Sequence, residues 1–296
     1  MIFSEINAIA SLIEKVFKIF KKSKNKNILN NDTISLRFIN LFESHGIHRN
    51  QIPRAFGHGI TISSVQSDKD LLIELTEQAL VDACILFNIN REWLDGTDNQ
   101  IYPTYDFYKN PKEFQIFVDT LLSKSQYKID GVLLVPCEKK SGQESLLLLQ
   151  EIVGYIEENP YYRYYLINNW FYSYWKSRAY LTSCIATCCA KKILVKGLYL
   201  PSSTIKIISS GNTLMPMGKC GIYHFCGKKW HPEDMILLPD EFLKGINPEI
   251  NKFGLKAGLK LWLELESNGH MTSGLEDKNT KIKFKTKLEK MTGRGT

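Results

Sequence analysis

The stretch LTEQALVDACILFNINREWLDG, residues 75–96, carries the clearest structural pattern of the sequence. Thr76 is a residue type that caps helix N-termini. The apolar positions that follow it have the i, i+3, i+4, i+7 spacing of one helix face: Leu80, Ala83, Cys84 and Phe87. We therefore expect a helix over 76–88, followed by a single helical turn over 91–94 that ends before Gly96.

The residues before this stretch predict a compact helical unit that spans 34–96. A short apolar helix face comes first and is broken at Gly46. Two further short helices are expected over 49–57 and 61–67, on either side of His58-Gly59.

Residues 34–96 resemble the Xre or phage-repressor type of helix-turn-helix domain. In that family a helix near the end of the domain closes with a large hydrophobe, and a one-turn helix with Trp-Leu and then Gly follows. The positions that match are Phe87, Ile89, Trp93, Leu94 and Gly96. NQIPRAFG, residues 50–57, resembles the first helix of the turn motif, 57–59 its turn, and Thr61–Ser67 its recognition helix.

The resemblance implies that the domain binds double-stranded DNA, commonly as a homodimer on paired half-sites. Polar side chains on the recognition helix would contact base edges, and neighbouring groups would hold phosphates. The residues this implies are Thr61, Ser63, Ser64 and Gln66 for bases, and Arg49, Asn50, Gln51, Arg54 and His58 for phosphates.

The rest of the chain predicts a mixed α+β protein, in which the all-α helix-turn-helix-like domain precedes a larger α/β domain. We expect an amphipathic helix and linker at 1–33, a linker with a helix at 97–130, and the α/β domain at 131–296. The elements expected there are strand Gly131–Pro136, helix Glu144–Glu158, strand Tyr161–Ile167, helix Ser173–Lys191, strand Ile193–Leu200 and edge strand Lys281–Leu288.

Composition favours a cytoplasmic protein. The net charge is +7 and the pI about 8.9, which mildly favours an acidic partner such as nucleic acid. The lysines crowd both ends of the chain, and two solvated ends explain them equally well. No apolar run is long enough to span a bilayer, and we do not expect a membrane surface as a partner. The seven cysteines suit a reducing compartment.

Two further residue groups are candidate sites. Four residues of KCGIYHFCGKKWH have zinc-ligating side chains: Cys220, His224, Cys226 and His231. Their spacing matches no common zinc finger, and a half-buried strand over 221–226 is the simpler interpretation. No other cofactor is indicated.

An aromatic-rich segment at 155–180 is the second group. Its candidate pocket residues are Tyr164, Trp170, Tyr174 and Trp175. Core packing is the simplest interpretation, a small-molecule pocket the next, and stacking of single-stranded nucleic acid the third.

No motif of a known catalytic class occurs, so the sequence favours a non-enzymatic protein. The leading hypothesis is a DNA-binding transcriptional regulator whose C-terminal domain senses a small-molecule effector or mediates dimerisation. The alternative is a protein-interaction or scaffold protein with a repurposed helix-turn-helix module, and an enzyme in the second domain is a weaker third.

Overall fold

The computed structural model describes four stretches of the chain, namely residues 33–138, 142–215, 218–246 and 254–293. The amphipathic helix predicted near the N-terminus lies outside the described residues. Within them, no helix has the length and apolar character needed to cross a membrane.

The chain forms two compact units. The first, called here the helical unit, takes the described residues up to Pro103 together with those within 152–165 and 210–227. The second, the sheet unit, holds the remaining described residues. The first break therefore falls inside the linker expected at 97–130, and each unit is built from separate segments of chain.

Four of the five helices predicted for the helical unit are present, the one predicted over 61–67 is not, and a helix over Asp68–Glu74 was not predicted. Its helices are α1 Ile34–Ser44, α2 Ile52–Phe56, α3 Asp68–Glu74, α4 Glu77–Phe87 and α5 Arg91–Asp95, with 3₁₀ turns at Arg49–Gln51 and Ser64–Gln66. The cap expected at Thr76 is confirmed, because its hydroxyl accepts a hydrogen bond from the amide of Ala79 at 3.2 Å. At the other end of α4, Asn88 adopts the left-handed conformation that stops a helix.

Phenylalanines hold the helices of this unit together. The rings of Phe38 and Phe42 on α1 lie 4.7 Å apart, and Phe42 meets Phe56 at 5.1 Å and Phe87 at 5.0 Å. The last two contacts are edge-on, the geometry that aromatic pairs prefer. Three short helices thus share one aromatic core.

The sheet unit contains most of a six-stranded mixed sheet with strand order β1-β4-β3-β2-β5-β6. Its strands are β1 Thr104–Tyr105, β2 Ile129–Pro136, β3 Glu144–Ile156, β4 Asn159–Phe171, β5 Leu194–Leu200 and β6 Lys228–Trp230. The outer ends of β3 and β4, residues 152–165, belong to the helical unit. The central strand β2 pairs antiparallel with β3 and parallel with β5, and the mixed α+β class is confirmed.

Seven α-helices of the described residues belong to the sheet unit. They are α6 Pro111–Lys124, α7 Trp175–Ala190, α8 Ser202–Ser209, α9 Asp234–Leu237, α10 Pro239–Leu243, α11 Gly254–Ser267 and α12 Thr280–Thr292. Two 3₁₀ turns within Gly218–His224, separated by a kink at Gly221, lie in the helical unit where a strand at 221–226 was the simpler interpretation of the cysteine–histidine segment. The helix expected at 173–191 and the strands expected at 131–136, 161–167 and 193–200 are confirmed within a few residues.

The helix predicted over Glu144–Glu158 is wrong, because this segment is the long strand β3. Leu146, Leu147, Leu148 and Leu149 are all fully buried, so both faces of the strand are covered. A strand covered on both faces has a continuous apolar run instead of an alternating one, and such a run lacks the period that distinguishes strand from helix.

The edge strand predicted over Lys281–Leu288 is also wrong, because residues 280–292 form helix α12. The alternation of lysine with apolar residues suggested a strand. Only Thr280 and Phe284 are buried, four residues apart on one helix face. Phe284 stacks on Trp262 of α11 at 3.6 Å, and this contact fixes the helix to the unit.

A buried arginine joins three segments of the sheet unit. Arg178 on α7 is fully buried, and its guanidinium donates to the carbonyl oxygens of Tyr172, Phe242 and Lys244 at 2.7–3.0 Å. Its charge also lies 3.3 Å from the centre of the Tyr172 ring. Burial lowers the pKa of Arg178, but an arginine stays protonated in proteins. The three carbonyl groups and the Tyr172 ring therefore take the place of the water that would otherwise hydrate its charge.

Replacing this arginine should destabilise the sheet unit. Arg178→Met keeps most of the side-chain volume but leaves three carbonyl groups without their donor, and we expect a loss of about 3 kcal/mol or more in the free energy of unfolding. Urea denaturation followed by circular dichroism measures this. Arg54→Met is the matched control, since Arg54 is a solvent-exposed arginine whose replacement should change stability by less than about 1 kcal/mol. Equal effects of the two substitutions would contradict the role given to Arg178.

Candidate interaction surface of the helical unit

The segment expected to be the recognition helix is not an α-helix. Thr61–Ser67 contains a single 3₁₀ turn at Ser64–Gln66, and Ser64 and Val65 are buried. The sequence prediction is wrong here because the segment bonds to itself. The Ser64 hydroxyl donates to the carbonyl oxygen of Thr61 at 2.9 Å and accepts from the Thr61 amide at 3.1 Å, in competition with helical bonds.

Glu74, the last residue of α3, holds this turn closed. Its carboxylate accepts hydrogen bonds from the amide of Thr61 at 2.8 Å and from the Thr61 hydroxyl at 3.0 Å. Hydrogen bonds from Ser64 and Thr61 lower the pKa of Glu74, so the carboxylate stays charged at neutral pH. The Thr61 hydroxyl also lies 2.9 Å from that of Ser63. Three residues expected to contact bases are therefore bonded within the unit.

The remaining polar residues of the predicted DNA site also have partners inside the unit. Gln66 donates to the side-chain oxygen of Asn50 at 2.6 Å, and Gln51 accepts the amide of His48 in a capping box. His58 lies 3.3 Å from the carboxylate of Asp82. Its ring stacks on Phe56 with centroids 4.3 Å apart.

Both arginines of the predicted phosphate contacts form ion pairs. Arg49 lies 3.3 Å from the carboxylate of Glu43, and Arg54 lies 3.3 Å from that of Glu157 on the strand connection. These ion pairs are exposed and therefore weak. A phosphate that binds either arginine has to displace only a solvated carboxylate. The geometry nonetheless places an acidic group beside each arginine.

Apolar side chains project where the resemblance implied base-reading ones. Ile62, in the turn, is 63% exposed, and Leu72 and Ile73 on α3 are 53% and 83% exposed. The bonds between Thr61 and Glu74 bring Ile62 and Ile73 to neighbouring positions, since each is next in sequence to a bonded residue. Ile62, Leu72 and Ile73 are called here the apolar crest.

The chain around the apolar crest is acidic. Residues 33–103 hold five arginines and lysines against nine aspartates and glutamates, a net charge of −4, although the whole chain carries +7. Helix α3 itself has Asp68 and Asp70 in its first turn, where they also stabilise the helix. With Glu74 and against the single Lys69, α3 carries a net charge of −2, so the crest lies on an acidic helix.

A histidine is buried beneath these helices. His45 follows α1 and is fully buried, with its ring 4.2 Å from that of Phe87. Its Nδ1 lies 2.8 Å from the carbonyl oxygen of Leu41, so Nδ1 carries the proton and Nε2 accepts, 3.5 Å from the Tyr102 hydroxyl. Burial lowers the pKa of His45 to about 4, and the neutral form is the folded form.

The four candidate zinc ligands are not assembled. Cys220 and Cys226 are exposed thiols, and the Cys226 sulfur faces the backbone carbonyl of His224 at 3.6 Å. His231 belongs to the sheet unit, where it lies 3.2 Å from Glu233. Across the described parts of the chain no three histidine, cysteine or acidic side chains are disposed to hold a metal ion.

The four candidate pocket residues lie in different surroundings. Tyr164 and Trp170 are fully buried, Tyr164 in the helical unit and Trp170 in the sheet unit. Tyr164 is part of the aromatic core around His45, with ring centroids 5.5 Å apart. Tyr174 and Trp175 are half-buried at the start of α7, with ring centroids 5.8 Å apart.

Comparison with known proteins leaves the family open: no family model, no curated protein and no solved structure matches this chain. The resemblance to Xre-type domains stays a prediction. The apolar crest is the feature that sequence patterns missed, and its signal was present in Leu71-Leu72-Ile73, three consecutive apolar residues of which a short helix can bury only one.

The buried His45 makes the stability of the helical unit depend on pH. Between pH 6.5 and 4 the unfolded chain binds a proton at this histidine and the folded chain does not. Stability therefore falls as the pH falls through that window, by up to about 3 kcal/mol for a shift of this size. Thermal unfolding between pH 4 and 8 measures it.

The matched pair of variants is His45→Phe and His231→Gln, since His231 is exposed. The pH dependence should flatten in His45→Phe and persist in His231→Gln. If the slope between pH 6.5 and 4 is the same in both variants, another group is responsible.

Proposed function

We propose that the helical unit is a protein-interaction module that binds a segment of a partner protein with an apolar face and basic flanks. The observation that carries the proposal is the apolar crest, which puts Ile62, Leu72 and Ile73 into solvent on an acidic unit. This corresponds to the hypothesis of a helix-turn-helix module repurposed for protein recognition.

The apolar part of the surface supports a buried contact. A single exposed apolar residue is ordinary on a protein surface, but adjacent large ones rimmed by charges are typical of interaction sites. Burial of one such side chain contributes about 1.5–3 kcal/mol, so Ile73 alone can supply an energetic centre for the interface.

The charge around the crest supports a basic partner. Asp68, Asp70 and Glu74 lie on α3 with the crest, against the single Lys69, and both aspartates are exposed. A carboxylate-rich rim attracts lysine and arginine and repels phosphate, which speeds encounter with a basic segment and disfavours a nucleic acid. A helical segment with leucines on one face and lysines beside them fits both features.

A designed peptide tests this directly. The probe is a fluorescent amphipathic helix of about 14 residues with leucine and lysine only, and its twin has glutamate in place of lysine. We expect the lysine peptide to bind the full chain, the glutamate peptide to bind at least tenfold more weakly, and Ile73→Ser with Leu72→Ser to weaken binding by about tenfold or more, as loss of apolar burial requires.

The chain offers a matched control for this experiment. Ile85 on α4 belongs to the same unit and is 62% exposed, much like Ile62. Ile85→Ser should leave peptide affinity unchanged, and circular dichroism should show that all variants are folded. If Ile85→Ser weakens binding as much as the crest variant, the contact is unspecific and the proposal fails.

The DNA-binding regulator remains the second candidate function, because one specific observation favours it. Four helices of the helical unit, α1, α2, α4 and α5, lie where the resemblance places helices, and α5 is closed by Gly96 in the left-handed conformation. A regulator of this kind would act on double-stranded DNA as a homodimer in the cytoplasm, with an effector bound by the sheet unit.

Duplex DNA separates the two candidates. A regulator should bind random duplex DNA with a steep salt dependence, and Arg54→Ala should lower the slope of log K against log salt by about 0.9, the contribution of one phosphate contact. For an interaction module we expect no duplex shift at about 200 mM salt and no effect of Arg54→Ala on peptide binding. A duplex complex that weakens with Arg54→Ala would overturn our proposal in favour of the regulator.

A further inference from the structure

Aromatic and basic side chains form a second distinctive surface, in the sheet unit around the start of α7. It consists of Tyr108, Lys109, Tyr174, Trp175, Lys176 and Tyr180, called here the aromatic–lysine surface. Lys109 is exposed and the other members are half-buried. Neither the fold nor the proposed function of the helical unit accounts for it.

The rings of this surface are held in fixed positions. Tyr108 meets Tyr180 edge-on with centroids 5.9 Å apart, and Tyr174 meets Trp175 at 5.8 Å. A hydrogen bond joins Tyr108 to Tyr174, which connects the two pairs. Desolvation and the neighbouring Tyr174 raise the pKa of Tyr108 to about 12, so the Tyr108 hydroxyl is neutral at physiological pH.

Each lysine of the surface lies over an aromatic ring. The Lys176 amine is 5.2 Å from the Trp175 ring centre, and the Lys109 amine is 5.0 Å from that of Tyr108. Such contacts are weak in solvent, so the flexible lysines can turn towards an anion and leave the ring faces to another flat group. Cations and stackable rings therefore alternate along one surface.

The chain around this surface is unusually poor in acidic groups. Residues 166–209 hold six lysines and arginines and no aspartate or glutamate. Two acidic residues from other segments lie nearby. Asp106 is occupied by the side-chain amide of Asn169 at 2.9 Å and the amide of Tyr108 at 2.8 Å, and Glu264 of α11 acts on Tyr180. Lys109 and Lys176 are the basic members of the surface itself, and Asp106 beside them is already held by two hydrogen bonds.

Helix direction adds to the positive potential. Trp175 lies against Gly258 near the start of α11, and Tyr180 lies near Glu264 further along it, so α7 and α11 run in the same direction. Both helices thus begin at the end of the unit that carries the aromatic–lysine surface. Helix N-termini carry partial positive charge, which favours phosphate there.

We infer that the aromatic–lysine surface binds single-stranded nucleic acid, with bases stacked on Trp175 and the neighbouring tyrosines and phosphates held by Lys109 and Lys176. Proteins that bind single strands without sequence preference combine stacking rings with a basic track in this way. Duplex DNA hides its base faces, so it can use only the lysines. The inference is independent of the protein-interaction proposal, which concerns the helical unit.

The test uses the full chain and a fluorescein-labelled oligothymidylate of about 15 nucleotides, a length in the range of single-strand sites. We expect measurable binding at about 50 mM salt and quenching of tryptophan fluorescence. Trp175→Ala should weaken binding about fivefold or more, the lower end of what one stacked base contributes. Trp175→Phe should keep most of the affinity but lose the quenching, which a merely structural role of Trp175 would not produce.

The lysines have their own readout and control. Lys109→Gln with Lys176→Gln should lower the slope of log K against log salt by about 1.4, since each phosphate contact on a single strand contributes about 0.7. Lys285→Gln with Lys290→Gln removes the same charge from exposed positions on α12 and should leave the slope unchanged.

Three results would overturn the inference. They are no binding of the oligothymidylate, an affinity that Trp175→Ala leaves unchanged in a folded protein, or equal displacement by inorganic polyphosphate of the same charge. The last outcome would show a general polyanion surface without stacking. None of them bears on peptide binding by the apolar crest, so the two proposals fail separately.

Discussion

The bond between Glu74 and Thr61 determines what the helical unit presents to solvent. Two hydrogen bonds to one carboxylate draw the turn after α2 against the end of α3. A turn fixed in this way cannot extend as a helix into a groove, because its first amide and hydroxyl are already bonded. Ile62 and Ile73, each next in sequence to a residue of this bond, are both exposed. The same two hydrogen bonds thus occupy the polar groups of Thr61 and leave the neighbouring apolar side chains in solvent.

Net charge is a poor guide to the partners of this chain. The total of +7 suggests an acidic partner, but residues 33–103 carry −4, and residues 166–209 carry six basic groups and no acidic one. Electrostatic attraction acts over about 8 Å at physiological salt, so a partner responds to the local surface and not to the total. Each unit therefore has to be assigned its partner from its own surface.

The sequence predicted some elements well because they bury only one face. Helix α4 shows its period and its cap at Thr76, and both are confirmed at Glu77–Phe87. Strand β3 was mistaken for a helix because Leu146–Leu149 is buried on both sides, which removes the period. Helix α12 was mistaken for a strand because it buries little more than Phe284. Its other positions are largely exposed, so the alternation of lysine with apolar residues there does not indicate the secondary structure.

The candidate site was harder to predict because side-chain pairing is set by tertiary contacts. Asn50 and Gln66 both looked available for DNA, but the fold brings them within 2.6 Å, where the Gln66 amide donates to the Asn50 side-chain oxygen. Arg49 and Arg54 likewise meet acidic partners, one of them more than a hundred residues away in sequence. A polar residue at a position that contacts bases in the resembled family can contact a base here only if the protein itself leaves its donors and acceptors free. In this unit the segment expected to be the recognition helix is a 3₁₀ turn, and the groups that would read DNA are bonded within the unit. This is the arrangement we expect of a module whose contacts with a partner are made by its apolar residues.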